Sequence, residues 1–151
     1  MDDNSNLPPL KVISREEWGA RPTISTRKFK DLPLRFAVLS LTTRTKECRS
    51  LEECCRMMRR IQHMDMAKRG LKDIRYNFYL GSDGNAYEGR GWKVIPPNNN
   101  KYQGRQGQYI HIVCIGDFRS RFTSLGERSR DQFQCTKPSG ISLLWRRKKK
   151  F

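Results

Sequence analysis

The chain has no run of about eighteen apolar residues, the pattern that a membrane-spanning helix needs. Histidine is nearly as scarce. Only His63 and His111 occur in 151 residues, which leaves few of the neutral nitrogen ligands that zinc chemistry favours. The opening, MDDNSNLPPL, is acidic and carries prolines, without the basic-then-apolar order of a signal peptide. Read alone, that opening predicts a chain kept inside the cell, or a fragment or isoform of something longer. Five cysteines cannot all pair within one chain. There is no internal repeat, so solenoid architectures are excluded.

What is present fits one domain with a single core. The hydrophobic fraction of 36% is low, yet 10% aromatics argue against wholesale disorder. A net charge of +16 invites a nucleic-acid or anionic-surface reading. Its distribution weakens that idea. Residues 119–151 hold ten Lys or Arg against two acids, half of the excess. The run Arg146-Arg147-Lys148-Lys149-Lys150 reads as a solvated tail, and no nucleic-acid partner is expected.

Residues 1–10 read as a flexible lead-in. Ser14 with Glu17 forms a capping box for a short helical turn, and Pro22 forbids its extension. Trp18 reads as a core anchor. Residues 36–43, FAVLSLTT, are apolar and β-branched enough for a buried strand. Ser50 then caps a helix, with Glu53 completing its box; Leu51, Cys54, Cys55, Met58 and Ile61 recur at helical spacing and Gly70 ends it. Arg56, Arg59 and Arg60 fall on the outward face as solvated charge. Residues 93–107 form a polar loop. YIHIVCI, ended by Gly116, reads as a central strand with His111 as a sheet residue rather than a ligand.

Between the helix and that strand lies DIRYNFYLGSDGNAYEGRGW, residues 73–92. Ile74, Tyr76, Phe78 and Leu80 alternate with Arg75, Asn77 and Tyr79, the period of a half-buried strand. Gly81-Ser82-Asp83-Gly84 supplies a tight turn, and residues 85–88 return as a second strand. Arg90 leaves the hairpin between Gly89 and Gly91, which allow a close approach of backbone to a ligand, and Trp92 follows. The segment resembles the central motif of the peptidoglycan-recognition protein family, D-I-x-Y-N-F followed by D-G-x-x-Y-E-G-R-G-W. ISREEWGARP, residues 13–22, resembles the same family's domain opening.

The resemblance covers residues 12–118. It implies an α/β fold with a mixed central β-sheet flanked by helices, of the peptidoglycan-recognition and type 2 N-acetylmuramoyl-L-alanine amidase kind. It also implies a disulfide between Cys48 and Cys54, and an extracellular or ectodomain setting. The domain is accordingly expected over 11–118, with 119–151 a divergent basic segment. Only about a dozen residues separate Phe118 from Arg130, too few for the family's C-terminal helix and its connections. That third of the chain therefore reads as shortened, alternatively spliced or divergent.

Amidases of the family hold zinc with two histidines and a cysteine, so that the metal activates a water and polarises the scissile carbonyl. The first of those ligands comes from a strand ending like I-H-H-T. Laid on this sequence, the pattern puts Ser40 at the metal histidine, Leu41 at the second histidine and Thr42 on the threonine. The stretch resembling G-H-R-D-x-x-x-T-x-C-P-G is echoed only by Ser129-Arg130-Asp131 and Lys137-Pro138. No metal site and no cofactor are therefore expected, and no enzyme activity. Tyr76 keeps the family's catalytic-tyrosine position without a metal to serve. The resemblance implies ligand contacts from Thr42, Tyr76, Arg90, Gly91 and Trp92. Gly91-Trp92 is the pair of members that prefer diaminopimelate-type stems. Asn98, Asn99 and Gln106 replace other groove residues. The expected partners are a diaminopimelate-type peptidoglycan fragment or a related immune receptor. The expected role is non-catalytic innate immune sensing or its regulation. The alternatives are a zinc amidase, and a modulator that binds only protein partners.

Overall fold

The computed structural model describes residues 10–30, 34, 36–41, 45–97 and 107–116; expectations for 1–9, for Thr42 and for 117–151 lie outside them. In chain order the elements are β1 (Val12–Ile13), β2 (Phe36–Leu41), α1 (Leu51–Ala67), β3 (Phe78–Leu80), β4 (Ala86–Glu88) and β5 (Tyr109–Cys114). The strands form one mixed sheet in the order β1-β4-β3-β5-β2. Only the β3–β4 hairpin is antiparallel; β1 with β4, β3 with β5 and β5 with β2 run parallel.

Two apolar clusters sandwich this sheet, which explains why β5 lacks alternation. Ile110, Ile112 and Cys114 pack into one cluster with Phe78, Leu80 and Ala86. Val113 and Ile115 join the other with Tyr79, Tyr87 and the α1 residues Cys54 and Met58. A strand covered on both faces reads as a continuous apolar run. The expectation for β2 needs correction. It ends the described sheet, Ala37 is exposed, and Val38, Leu39 and Ser40 are half-buried. An edge strand gains cover from one side only.

Helix α1 forms where its cap placed it. Ser50 Oγ accepts the Glu53 N–H at 3.2 Å, and the Glu53 carboxylate reaches back to the Arg49 N–H at 2.9 Å. The Cys48–Cys54 disulfide ties that cap to the first turn, and Gly70 turns the chain away at φ 65°. The buried stripe differs from the apolar spacing. Leu51 is 47% exposed, whereas Gln62 and Asp65 are buried. Both polar groups are spent. Gln62 bonds Arg21 backbone through both ends of its amide and also donates to Asp73. Asp65 accepts the Arg75 N–H and pairs with Arg69. On the outward face Arg59 is not simply solvated, since it donates to the Trp18 carbonyl at 2.9 Å. Trp18 is fully buried, its indole N–H given to the Glu88 carbonyl at 2.8 Å, and the Ser14–Glu17 box stands before it.

The first hairpin strand is shorter than its alternation predicts, starting at Phe78 rather than Ile74. Three successive N–H groups ahead of it are capped by side chains: Ile74 by Asp73 at 2.7 Å, Arg75 by Asp65 at 2.8 Å and Tyr76 by the Tyr79 hydroxyl at 3.2 Å. Their donors being spent, no ladder continues through them. Ile74 and Tyr76 consequently pack with Tyr79 on the α1 side, opposite Phe78 and Leu80. The turn forms as expected. Gly84 takes φ 88°, and Asp83 accepts from the Asn85 backbone and from the Tyr87 hydroxyl, at 3.1 and 2.5 Å.

Candidate functional site

The loop 89–91 folds back on the end of the segment before β3. The N–H groups of Gly89 and Gly91 donate to the Asn77 carbonyl, and that of Arg90 to the Tyr76 carbonyl. A Cβ at Gly89 would stand 2.2 Å from the Tyr76 carbonyl oxygen, and Gly91 sits at φ 69° against the Glu88 carboxylate. The close approach that Gly89 allows is to the protein's own backbone, and Gly91 lies against the Glu88 side chain. Buried Asn77 completes the lock. Its amide donates to the carbonyls of Gly91 and Val94, both at 2.8 Å, and its oxygen accepts the His111 N–H at 2.8 Å.

Two groupings of chemistry-bearing side chains result. In the first, His111 on β5 faces the α1 side with its ring centroid 4.3 Å from that of Tyr76. Its Nε2 shares a 2.7 Å hydrogen bond with Ser40 Oγ. The imidazole tautomer sets which of the two donates. Burial, and then the positive charge of Arg75, bring the His111 pKa down to about 4, so the ring is neutral at pH 7. The Arg75 guanidinium lies 6.0 Å from the Tyr76 ring centroid, and its Nε is buried without a hydrogen-bond partner among the described residues. This grouping offers a neutral imidazole and a hydroxyl beside an aromatic face, with the Arg75 cation at its side.

The second grouping surrounds Arg90. Its Nε donates to the Ile74 carbonyl at 2.7 Å, which orients the guanidinium. Burial pulls its pKa below the ordinary value, opposed by the charge of Asp73. Arg90 opens onto a cleft of about 270 Å³ whose described lining also includes Arg27, Lys72, Leu71, Ile95 and Pro96. Neither His111, Ser40 nor Tyr76 lines it.

The sequence-predicted residues thus separate. Tyr76 lies with His111 and Ser40; Arg90 lines the cleft; Gly91 serves Asn77 through its carbonyl. Trp92 packs on Phe78 at 4.5 Å between ring centroids, with the cluster on the other face of the sheet. Thr42 and the 129–138 stretch lie outside the described residues. Among the described residues no group of three or more His, Cys, Asp or Glu could hold a metal ion. His63 is exposed on α1, and Cys48 and Cys54 are tied to each other. Arg27 and Lys72, unmarked by any motif, come to Arg90 through the fold alone. The Ser40–His111 bond was equally hidden, because it depends on the register that sets Val38 opposite His111.

No family model matches the chain. Over 110 residues it is 39% identical to peptidoglycan recognition protein 1 of Rattus norvegicus, covering 73% of this chain and 58% of that protein. The solved structure of peptidoglycan recognition protein-LE in complex with tracheal cytotoxin, a monomeric diaminopimelic acid-type peptidoglycan, is 30% identical with a TM-score of 0.62. That match covers 76% of this chain and 70% of that one. The ectodomain complex of the recognition proteins LCa and LCx, with tracheal cytotoxin bound, gives 28% identity and a TM-score of 0.73 over 93% of this chain and 76% of that one. The chain spans about half the length of the curated relatives it matches. The sequence identity and the shared mixed sheet lead to one conclusion: the chain belongs to the peptidoglycan-recognition protein family.

Proposed function

We propose that residues 11–118 are a non-catalytic peptidoglycan-recognition domain that acts in innate immune sensing or its regulation and takes a diaminopimelate-type muramyl peptide. The observation that carries the reading is the Ser40–His111 hydrogen bond. Ser40 stands where the resembling amidase pattern has its first metal histidine, and its hydroxyl is engaged with a neutral imidazole. A serine hydroxyl is a poor zinc ligand beside imidazole or thiolate. Tyr76 keeps its place above that pair as a contact for the ligand rather than an aid to hydrolysis.

Arg90 supplies the charge. Its remaining guanidinium edge matches a carboxylate in the paired geometry that arginine favours, while Gly91 and Trp92 shape the loop that presents it and Thr42 adds a hydroxyl. The solved relative with tracheal cytotoxin bound supports the choice of stem peptide. Calorimetric titration with a diaminopimelate-type muramyl peptide tests the reading. The full chain is expected to bind, and Arg90→Ala to weaken binding at least tenfold. Release of the stem peptide by the full chain with stoichiometric zinc would overturn the non-catalytic part.

A second reading has one supporting observation, the likeness to the LCa–LCx ectodomain complex. It makes the domain a modulator that pairs with a related receptor. Absence of heat from both proteins in the same titration favours it over ligand binding.

A further inference from the structure

We propose that the Arg90 cleft takes the end of a short organic dianion, and that Arg27 and Lys72 read its second negative charge. The inference rests on the recognition reading for the role of Arg90 and extends it to two residues that no motif marks.

Three separate segments each bring one cation to the cleft: Arg27 from the stretch after Pro22, Lys72 from the turn after α1, and Arg90 from the exit of β4. Their backbones are stitched together. Ile24 N–H and Thr23 Oγ1 both donate to the Lys72 carbonyl, at 2.9 and 3.3 Å. Ile95 N–H donates to the Arg27 carbonyl at 2.7 Å, and Lys28 bridges Val94. The backbone segments that carry the three cations are therefore held against one another.

The neighbouring acids Asp73 and Asp65 favour the charged form of Arg90 but form their ion pairs elsewhere. Asp73 is spent on Arg15, Gln62 and the Ile74 N–H; Asp65 is spent on Arg69 and the Arg75 N–H. No acid occurs among the described lining residues, and neither Arg27 nor Lys72 forms an ion pair with a described residue. Three like charges around one small space repel one another, and an anion between them removes that repulsion. Arg90 is partly desolvated as well, which sharpens its preference for a negative partner.

The floor decides between a bare ion and an organic one. Leu71, Ile95 and Pro96 offer apolar surface beside the cations, which a short aliphatic stretch would cover. About 270 Å³ falls just below the roughly 300 Å³ at which small-molecule sites begin, so the cleft suits one end group rather than a polymer. The shared chemistry is two negative charges on a short aliphatic frame, met by a dicarboxylate or by a phosphate ester.

Titration calorimetry of the full chain at low salt tests this with pimelate, hexanoate and inorganic phosphate as probes. Pimelate is expected to bind at least tenfold more tightly than hexanoate. The double variant Arg27→Gln/Lys72→Gln should lose about tenfold for pimelate and leave hexanoate unchanged. Both side chains lie on exposed residues, and thermal melting checks the fold; each single variant repeats the comparison if the double variant melts early. Inorganic phosphate, a dianion without an aliphatic frame, is expected to bind more weakly than pimelate, and binding as tight as that of pimelate overturns the organic part of the proposal. Equal binding of pimelate and hexanoate, or a double variant indistinguishable from the parent chain, overturns the proposal. Should muramyl-peptide binding persist while pimelate fails, only this inference falls. Pimelate binding without muramyl-peptide binding removes only the recognition reading.

Discussion

Asn77 is fully buried, and its carboxamide is spent in three directions, on Gly91, Val94 and the His111 backbone. One side chain thereby holds the loop carrying Arg90 against the strand carrying His111. Asn77→Ala would remove the partner of one buried carbonyl, one half-buried carbonyl and one buried N–H, each costing roughly 1–3 kcal/mol. A loss of about 3 kcal/mol in urea unfolding is expected, together with weaker muramyl-peptide binding although Asn77 touches no ligand. His111 makes a second, pH-dependent prediction. Its folded pKa of about 4 lies below the ordinary 6.5, so the unfolded chain takes up the proton first as pH falls. The stability carried by the neutral ring is complete above pH 6.5 and is lost between pH 6.5 and 4, on the order of 3 kcal/mol in all. Unfolding midpoints measured down that range should fall, and His111→Gln should flatten the slope above pH 5, before carboxylates begin to titrate.

Helix α1 and the β3–β4 hairpin were readable from the sequence because their signals are local. Ser50 with Glu53 marks one start, and Gly81-Ser82-Asp83-Gly84 marks the turn. The strand of 74–77 was misread because its alternation is real while its N–H groups are claimed by Asp73, Asp65 and Tyr79, partners that only the fold supplies. Gln62 and Asp65 were missed for a related reason: polar residues become core residues when a connecting segment arrives to satisfy them. At the site, Tyr76 and Arg90 came from motif resemblance, whereas their separation into two groupings, and the packing of Trp92 on the far face, needed coordinates. The α1 cap also yields a stability prediction. The Cys48–Cys54 bond closes a short loop across the helix start, and a loop of that size contributes about 2 kcal/mol in the chain-entropy account. A Cys48→Ala/Cys54→Ala variant is expected to lose that amount in urea unfolding at constant m-value. A further Ser50→Ala change should remove about 1 kcal/mol through the lost cap.

Across the whole molecule, charge and recognition chemistry occupy different parts of the chain. The net charge is +16, yet half of that excess belongs to residues 119–151 and five successive cations occupy 146–150. The cations of the Arg90 cleft lie within 27–90 and face a space of about 270 Å³, far too small for a nucleic-acid backbone. Retention on DNA and binding of a muramyl peptide are consequently separable properties. No nucleic-acid partner is expected, and any retention of the full chain on DNA through its basic tail should lack sequence preference, with log affinity falling against log salt by about 0.9 for each phosphate met, or roughly 4–5 if all five tail cations engage. Removing residues 141–151 should abolish that retention and leave the heat of muramyl-peptide titration unchanged. Arg90→Ala should do the reverse, reducing the titration heat while DNA retention at low salt stays as it was. If the shortened chain still bound DNA with the same salt slope, the charge of the folded domain would have to form the contact surface, and the exposed arginines of α1, Arg56 and Arg60, would be the residues to exchange next.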